Sequence, residues 1–398
     1  MRFAHLADCH IGGWREEELK ELGMRSFEAA IERCLHEKVD FLLIAGDLFN
    51  TALPSIDLLK RTTTALKRVK DAQIPVYLIP GSHDFSPSGK TMLDILEEAG
   101  LVANVVRFKE GKLQWTSTPQ GVKITGLMGK RGGLEIQDYL HLDKAHLETE
   151  EGFKIFMFHT TLSEFKPAGM EQVEGAPVAA LPRNCQYYAG GHVHYRFQTR
   201  YGTGLLTYPG PTFPNNFKEL EELQHGSFYL VDGQLNYELV TLPLKEVIAL
   251  KIDAEDKTPE EVESSLHQAL PEETQDKILL LRVEGTLRSG RPSDIRFAKI
   301  LETHKGAYCV LRNTSRLKSR TFEEFEVESG HDVEEVEAKI IETHAEQAPP
   351  GAVDKEAEIR LTQALMQALD KEKQEGEKTV DFEARILQDA WKALGISA

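Results

Sequence analysis

Phe41-Leu42-Leu43-Ile44-Ala45-Gly46-Asp47-Leu48-Phe49-Asn50 runs apolar for five residues and then breaks at Gly-Asp. A short apolar run bounded by turn residues reads as a strand buried on both faces. A polar residue just past its carboxyl end stands where α/β sheets place their ligand sites. The arrangement recurs along the chain. Phe3–Ala7 leads into Asp8-Cys9-His10, Val76–Ile79 into Gly81-Ser82-His83-Asp84, Ile155–Phe158 into His159, and Gln186–Ala189 into Gly191-His192-Val193-His194. Further strands are predicted at Val122–Met128 and Leu205–Tyr208. Phe27, Ala30, Ile31, Cys34 and Leu35 form one helical stripe, and Ile56, Leu59, Thr63, Leu66 and Val69 a second. Strand alternating with helix predicts an α/β sheet covered by helices, with the polar motifs gathered at its carboxyl edge.

Outward from this core, Phe228–Val231, Asp232-Gly233 and Leu235–Val240 read as a hairpin, Asp-Gly accepting the positive φ of a tight turn. It closes a first domain, residues 1–243. The pattern restarts in residues 244–344 as a small α/β domain: strand Val247–Ile252, helix Thr258–Ala269, strand Ile278–Val283, helix Ser293–Thr303 and strand Tyr308–Leu311. Thr258-Pro259-Glu260-Glu261 supplies a cap, a proline suited to the first helical position, and the acidic partner of a capping box. Residues 345–353, rich in Ala, Pro and Gly, read as a linker. In residues 354–398, Leu361, Ala364, Leu365, Ala368 and Leu369 make one stripe and Leu387, Ala390, Trp391 and Leu394 another, around a Glu375-Gly376-Glu377 turn. Two such helices are too little to fold alone and need a surface to pack on.

The chain has 398 residues, 47 basic and 64 acidic, for a formal charge of −17. That excludes a diffuse cationic surface, so any nucleic-acid contact must come from a local patch. Cys9, Cys34, Cys185 and Cys309 form no CxxC pair, which predicts free thiols in a reducing compartment. Strand-like sequence from Arg2 onward leaves no leader, and no apolar run spans a bilayer; a cytoplasmic, non-membrane protein is expected.

The motifs assemble three carboxylates and five imidazoles, more ligand than one metal needs. Phosphodiester hydrolysis asks for an activated water and for neutralisation of developing charge. Two divalent ions roughly 3.5–4 Å apart supply both if a carboxylate bridges them, and Asp47 is the expected bridge. Mixed His and carboxylate ligation suits Mn²⁺, Fe²⁺ or Zn²⁺ more than Mg²⁺ or Ca²⁺, and Mn²⁺ is the expected ion. Each motif alone could be a capped turn with a surface histidine. Their joint occurrence, in order, at successive strand ends is what points to a site.

The ordered set Asp-x-His, Gly-Asp, Gly-Ser-His-Asp, His159 and Gly-His-x-His resembles the calcineurin-like metallophosphoesterases. Met1–His10, Ala45–Phe49, Gly190–His194 and Tyr208-Pro209-Gly210-Pro211 make it similar to the SbcD/Mre-eleven repair nucleases within them. The resemblance implies a sandwich of sheets flanked by helices, a small α/β capping domain and a C-terminal helical segment. It implies that Asp8, His10, Asp47 and His194 hold one metal, and Asp47, His159, His192 and the residue at position 82 the other. His83 would be the catalytic imidazole, oriented by Asp84. Two residues depart from the pattern: Ser82 replaces an asparagine ligand, and Asn50 stands where many members carry a second active-site histidine.

Three functions follow. The first is a Mn²⁺-dependent exonuclease and endonuclease on DNA ends or hairpins, contacting phosphates through Lys90, Lys130, Arg131 and Lys218 in predicted loops. The second is a weakly active interaction subunit of an SbcC-type, SMC-like coiled-coil ATPase docked by the C-terminal helices. The third is a small-molecule phosphodiesterase, against which the added domains count. Ile56–Val69 offers a face for a homodimer, or equally for the core.

Overall fold

The computed structural model describes residues 1–84, 86, 91–167, 170, 172–320, 355–371 and 379–395. Lys90, the 345–353 linker and the Glu375–Glu377 turn lie outside the described residues, as does the stretch 321–344 of the small domain. The chain runs β1 (Arg2–Leu6), α1 (Glu17–Glu37), β2 (Phe41–Ala45), α2 (Ile56–Asp71), β3 (Val76–Ile79), α3 (Met92–Glu98) and β4 (Ala103–Asn104). Then come the short strands β5 (Phe108–Lys109), β6 (Lys112–Leu113) and β7 (Thr116–Ser117), β8 (Lys123–Leu127), α4 (Glu135–Leu140), α5 (Ala145–Thr149), β9 (Lys154–His159) and β10 (Tyr187–Gly191). β11 (Arg196–Tyr201), β12 (Gly204–Pro209), α6 (Phe217–Leu223), β13 (Gly226–Asp232) and β14 (Tyr237–Leu242) follow. After these lie β15 (Val247–Asp253), α7 (Pro259–Ala269), β16 (Ile278–Leu287), α8 (Phe297–Leu301), β17 (Cys309–Asn313) and β18 (Leu317–Ser319), and finally α9 (Lys355–Leu369) and α10 (Thr379–Ala393).

Two mixed six-stranded sheets face each other. One has the order β14-β13-β1-β2-β3-β4, the other β11-β12-β10-β9-β8-β7. β1, β2, β3 and β4 run parallel, as do β12, β10, β9 and β8. Side chains alternate across each strand, so Phe3, Phe41, Leu43 and Ala45 meet Ile155, Met157, Tyr187 and Ala189 of the opposite sheet. Ala4, Leu6, Leu42 and Ile44 face the other way, against Phe27, Ile31 and Leu66 of the covering helices. Both faces are dry, which is why these strands read as unbroken apolar runs. Each fully buried Leu or Phe contributes about 1.5–3 kcal/mol relative to exposure. Outside the second sheet, Tyr139 and Leu147 of α4 and α5 pack on Phe156, Phe158 and Tyr188. The architecture is thus an α/β sandwich of mixed sheets flanked by helices.

β15, β16 and β17 form a separate parallel sheet, with β18 pairing to β16. One of its faces packs on Leu19, Leu22, Phe213 and Leu220. Compact unit 1 runs from Met1 to Ser319 and unit 2 from Arg320 to Ala398. In the latter, α9 and α10 pair, burying Ala368 and Ala390, while Leu369, Leu387, Trp391 and Leu394 stay exposed. All four cysteines are free, and no helix among the described residues is long and apolar enough to cross a membrane.

Two local expectations fail for identifiable reasons. In the β13–β14 turn the positive φ falls on Leu235 (67°), because the Asp232 carboxylate accepts from Gln234 N and Asn236 N and lengthens the turn past Gly233. The helix expected over Ser293–Thr303 is broken before α8. Arg296 gives its backbone N–H (2.7 Å) and its guanidinium to Glu263 of α7, leaving Ile295 extended.

Candidate metal centre

Every polar motif lies where its strand leaves the sheet. Asp8 and His10 follow β1, Asp47 follows β2, Ser82, His83 and Asp84 follow β3, His159 ends β9, and His192 and His194 follow β10. The backbone bends sharply to aim them. Asp8, His10, Asp47 and His192 all have positive φ, at 51°, 41°, 52° and 90°. Such left-handed conformations each cost about 1 kcal/mol or more in a non-glycine residue and concentrate at functional sites. Gly46 is a glycine for two reasons: its φ is +89°, and a Cβ there would sit 2.1 Å from His159 Nδ1.

Three overlapping groups of donors result: Asp8, His10 and His194; His10, Asp47 and His83; and Asp8, Asp47 and His159, with the ligand atoms of each group within 4.8 Å of one another. Asp47 belongs to the second and third groups, its Oδ2 lying 3.2 Å from His159 Nε2, 3.5 Å from His10 Nε2 and 3.3 Å from the Ser82 hydroxyl. Its Oδ1 accepts from His83 N at 2.7 Å. His192 enters differently. Its N–H donates to Asp8 Oδ1 (2.8 Å) and its ring sits edge-on to His159 at 5.1 Å, outside the three groups.

The second nitrogens of the imidazoles decide which way their lone pairs point. His159 Nδ1 bonds Ala45 O (2.9 Å), His83 Nδ1 bonds Asn50 O (2.8 Å), His10 Nδ1 lies 3.3 Å from Asn50 Oδ1, and His194 Nδ1 is 2.9 Å from Glu219 Oε1. These oxygens accept, so each Nδ1 donates and Nε2 is the nitrogen left to ligate. His10 Nε2 and His194 Nε2 consequently face each other at 3.0 Å. Asp8 Oδ2 and His159 Nε2 are buried without a hydrogen bond of proper geometry. Unsatisfied buried donors and acceptors of this density are destabilising unless a cation sits among them. The donor set therefore fits divalent metal ions, held by carboxylate oxygens and Nε2 atoms.

The electrostatics agree. Burial raises the Asp8 carboxyl above its ordinary range. Burial also opposes ionisation of Asp47, but the imidazolium of His159 and the neighbouring hydrogen bonds outweigh it and hold that carboxyl well down. For His159, burial is overcome by the charges of Asp47 and Asp8, and its pKa rises to about 9. His194 rises to about 8, since Glu219 and Asp8 outweigh desolvation, whereas burial and the charge of His159 drive His192 down to about 3.

Asp84 does not orient His83. Its oxygens accept from Leu48 N, Phe49 N and Gly81 N, each at 3.1 Å, so it clamps the Asp47 loop to its own turn, and burial next to Asp47 pushes its pKa to about 6. The Asn50 carbonyl orients His83 instead. Arg131 lies beside the site, Nε to Ser82 O at 3.3 Å, while Lys130 is paired with Asp138 at 2.6 Å. Lys218 lies on α6, not in a loop, and is 3.7 Å from Glu222. Glu219 and Asn50 hold metal-facing histidines and were missed from sequence as supports. A carboxylate on a later helix carries no motif, and Asn50 stood out only by replacing histidine.

Residues 1–196, which contain every donor from Asp8 to His194, match the calcineurin-like phosphoesterase family. Over these residues, about half of the chain, it is similar to calcineurin-like phosphoesterases. Three relatives share the name DNA double-strand break repair protein Mre11. The one from Archaeoglobus fulgidus is 23% identical, covering 99% of this chain and 95% of its own length. That from Methanosarcina mazei is 26% identical over 93% of this chain and 61% of its own length, and that from Methanopyrus kandleri 30% over 60% and 56%.

Proposed function

We propose that the chain is a Mn²⁺-dependent DNA nuclease, both exonuclease and endonuclease, acting on ends or hairpins in double-strand-break repair. The observation that carries the reading is the convergence of imidazole nitrogens and carboxylate oxygens around Asp8 and Asp47, at the seam of two sheets. The repair-protein name borne by relatives that align along nearly the whole chain supports DNA as substrate.

Asp8, His10, Asp47 and His194 would hold one ion, and Asp47, His159 and His192 the other, with Ser82 beside it. Bound there, the ions would supply an activated water and neutralise charge on the phosphate. His83 is half-buried, hydrogen-bonded through Nδ1–H and edge-on to His10, which leaves its Nε2 to carry a proton to the leaving 3′ oxygen. Arg131 is the best placed of the basic residues to meet a flanking phosphate. Residues 1–243 would form the nuclease domain and 244–344 a cap that positions DNA. The exposed apolar residues of 354–398, joined through 345–353, would dock on an SbcC-type coiled-coil ATPase in the cytoplasm. Exposed Ile56 at the head of α2 suits a homodimer face.

Purified protein with Mn²⁺ is expected to cut a blunt duplex or a hairpin, and His83→Ala to lower the rate about 10²–10⁴-fold with metal content unchanged. If wild type leaves both DNAs intact but splits a nitrophenyl diester, the substrate is a small molecule. One observation favours the interaction-subunit reading: the Ser82 hydroxyl is spent on Asp47 Oδ2. A metal count that rises from one to two in Ser82→Asn would support it.

A further inference from the structure

α6 touches two distant parts of the molecule. On one side, Glu219 Oε1 accepts from His194 Nδ1 at 2.9 Å, while Oε2 accepts from Asn215 N at 2.8 Å and the Asn216 amide donates to Oε1 as well. Asn216 Oδ1 in turn caps Glu219 N at 3.0 Å. The carboxylate is thus held by three donors before any ligand arrives. Two residues on, Glu221 takes three hydrogen bonds from the Arg282 guanidinium of β16, at 2.7 to 3.1 Å. The Phe217 ring lies under the same guanidinium, 4.9 Å away. Residues two apart on a helix point about 200° apart, so Glu219 and Glu221 grip opposite neighbours. Between them Leu220 is fully buried with Leu22, Phe213, Val247, Ile278 and Leu280, locking the helix to both.

We propose that Glu219 is a positioning residue for His194, and that α6, through Glu221 and Arg282, ties the aim of that imidazole to the seating of the small parallel sheet. The hydrogen bond fixes the proton on Nδ1 and turns Nε2 toward Asp8 and His10 Nε2, and a shift of β16 is carried along one helix to His194. A carboxylate behind a metal-binding imidazole sets both its tautomer and its orientation. The inference rests on the metal-binding part of the proposed function and not on DNA as substrate.

Mn²⁺ titration of the full chain by calorimetry, with a thermal melt beside each variant, tests it. Glu219→Ala is expected to weaken one class of Mn²⁺ site about 10–100-fold. Glu219→Gln keeps an acceptor oxygen and should recover most of the loss. Arg282→Ala, which touches no donor, should weaken the same class to a lesser degree without lowering the melting temperature enough to unfold the chain, and Glu221→Gln should do likewise. Wild-type affinity in Glu219→Ala, or a loss that glutamine does not recover, overturns the positioning role. Unchanged Mn²⁺ affinity in folded Arg282→Ala and Glu221→Gln overturns the link to the small sheet. A wild type that binds Mn²⁺ but leaves DNA uncut sinks only the nuclease reading.

Discussion

His159 lies against Asp47 and His194 between Asp8 and Glu219, and without a metal protons on these two imidazoles answer the carboxylates. His159 and His194, pushed to about 9 and about 8, hold an extra proton at neutral pH, and a divalent ion must displace it. Both pKa values are raised, so proton competition is strongest below them. Mn²⁺ affinity should climb as pH rises from 6 through 8 and level off above about 9. Calorimetry at pH 7 in buffers of different ionisation enthalpy checks this: the apparent binding enthalpy should change with the buffer by the protons released, and a buffer-independent value would refute it. At this scale the donors themselves were legible, because each follows an apolar strand. Asp84 was expected to orient His83 on the resemblance alone. The turn instead sends its carboxylate back to Leu48 and Phe49.

The elements most readable from sequence are those whose local chemistry agrees with their surroundings. α7 begins as its sequence dictates: Glu261 N bonds the Thr258 hydroxyl at 3.3 Å, and Thr258 N bonds Glu261 Oε2 at 2.8 Å. Thr258→Ala should therefore lose about 1 kcal/mol in urea unfolding, with the metal site untouched. A loss near zero would mean that burial of Val262 and Leu266 alone sets the start of this helix. β11, by contrast, alternates Arg196, Gln198 and Arg200 with Phe197, Thr199 and Tyr201 at a sheet edge, so no apolar run announced it. The two-residue strands β4 to β7 offer too few residues for any period to show. α8 looked continuous because Glu263, the residue that breaks it, belongs to another helix.

For the whole molecule, every donor and every residue of the small described sheet lies in the compact unit Met1–Ser319. A chain ending at Ser319 should keep the melting temperature and Mn²⁺ uptake of the full protein while losing any co-purifying ATPase. A lowered melting temperature would show that residues beyond it buttress the first unit. The division of labour between the sheets has another consequence. Carboxylates come from one sheet, through Asp8 and Asp47, and His159, His192 and His194 all come from the other. During synthesis, then, the first 158 residues can offer only part of the ligand set, and the set closes only when residue 194 has emerged and the second sheet has docked. The donor set is therefore complete only once the two sheets have packed face to face, and metal occupancy is a readout of that packing.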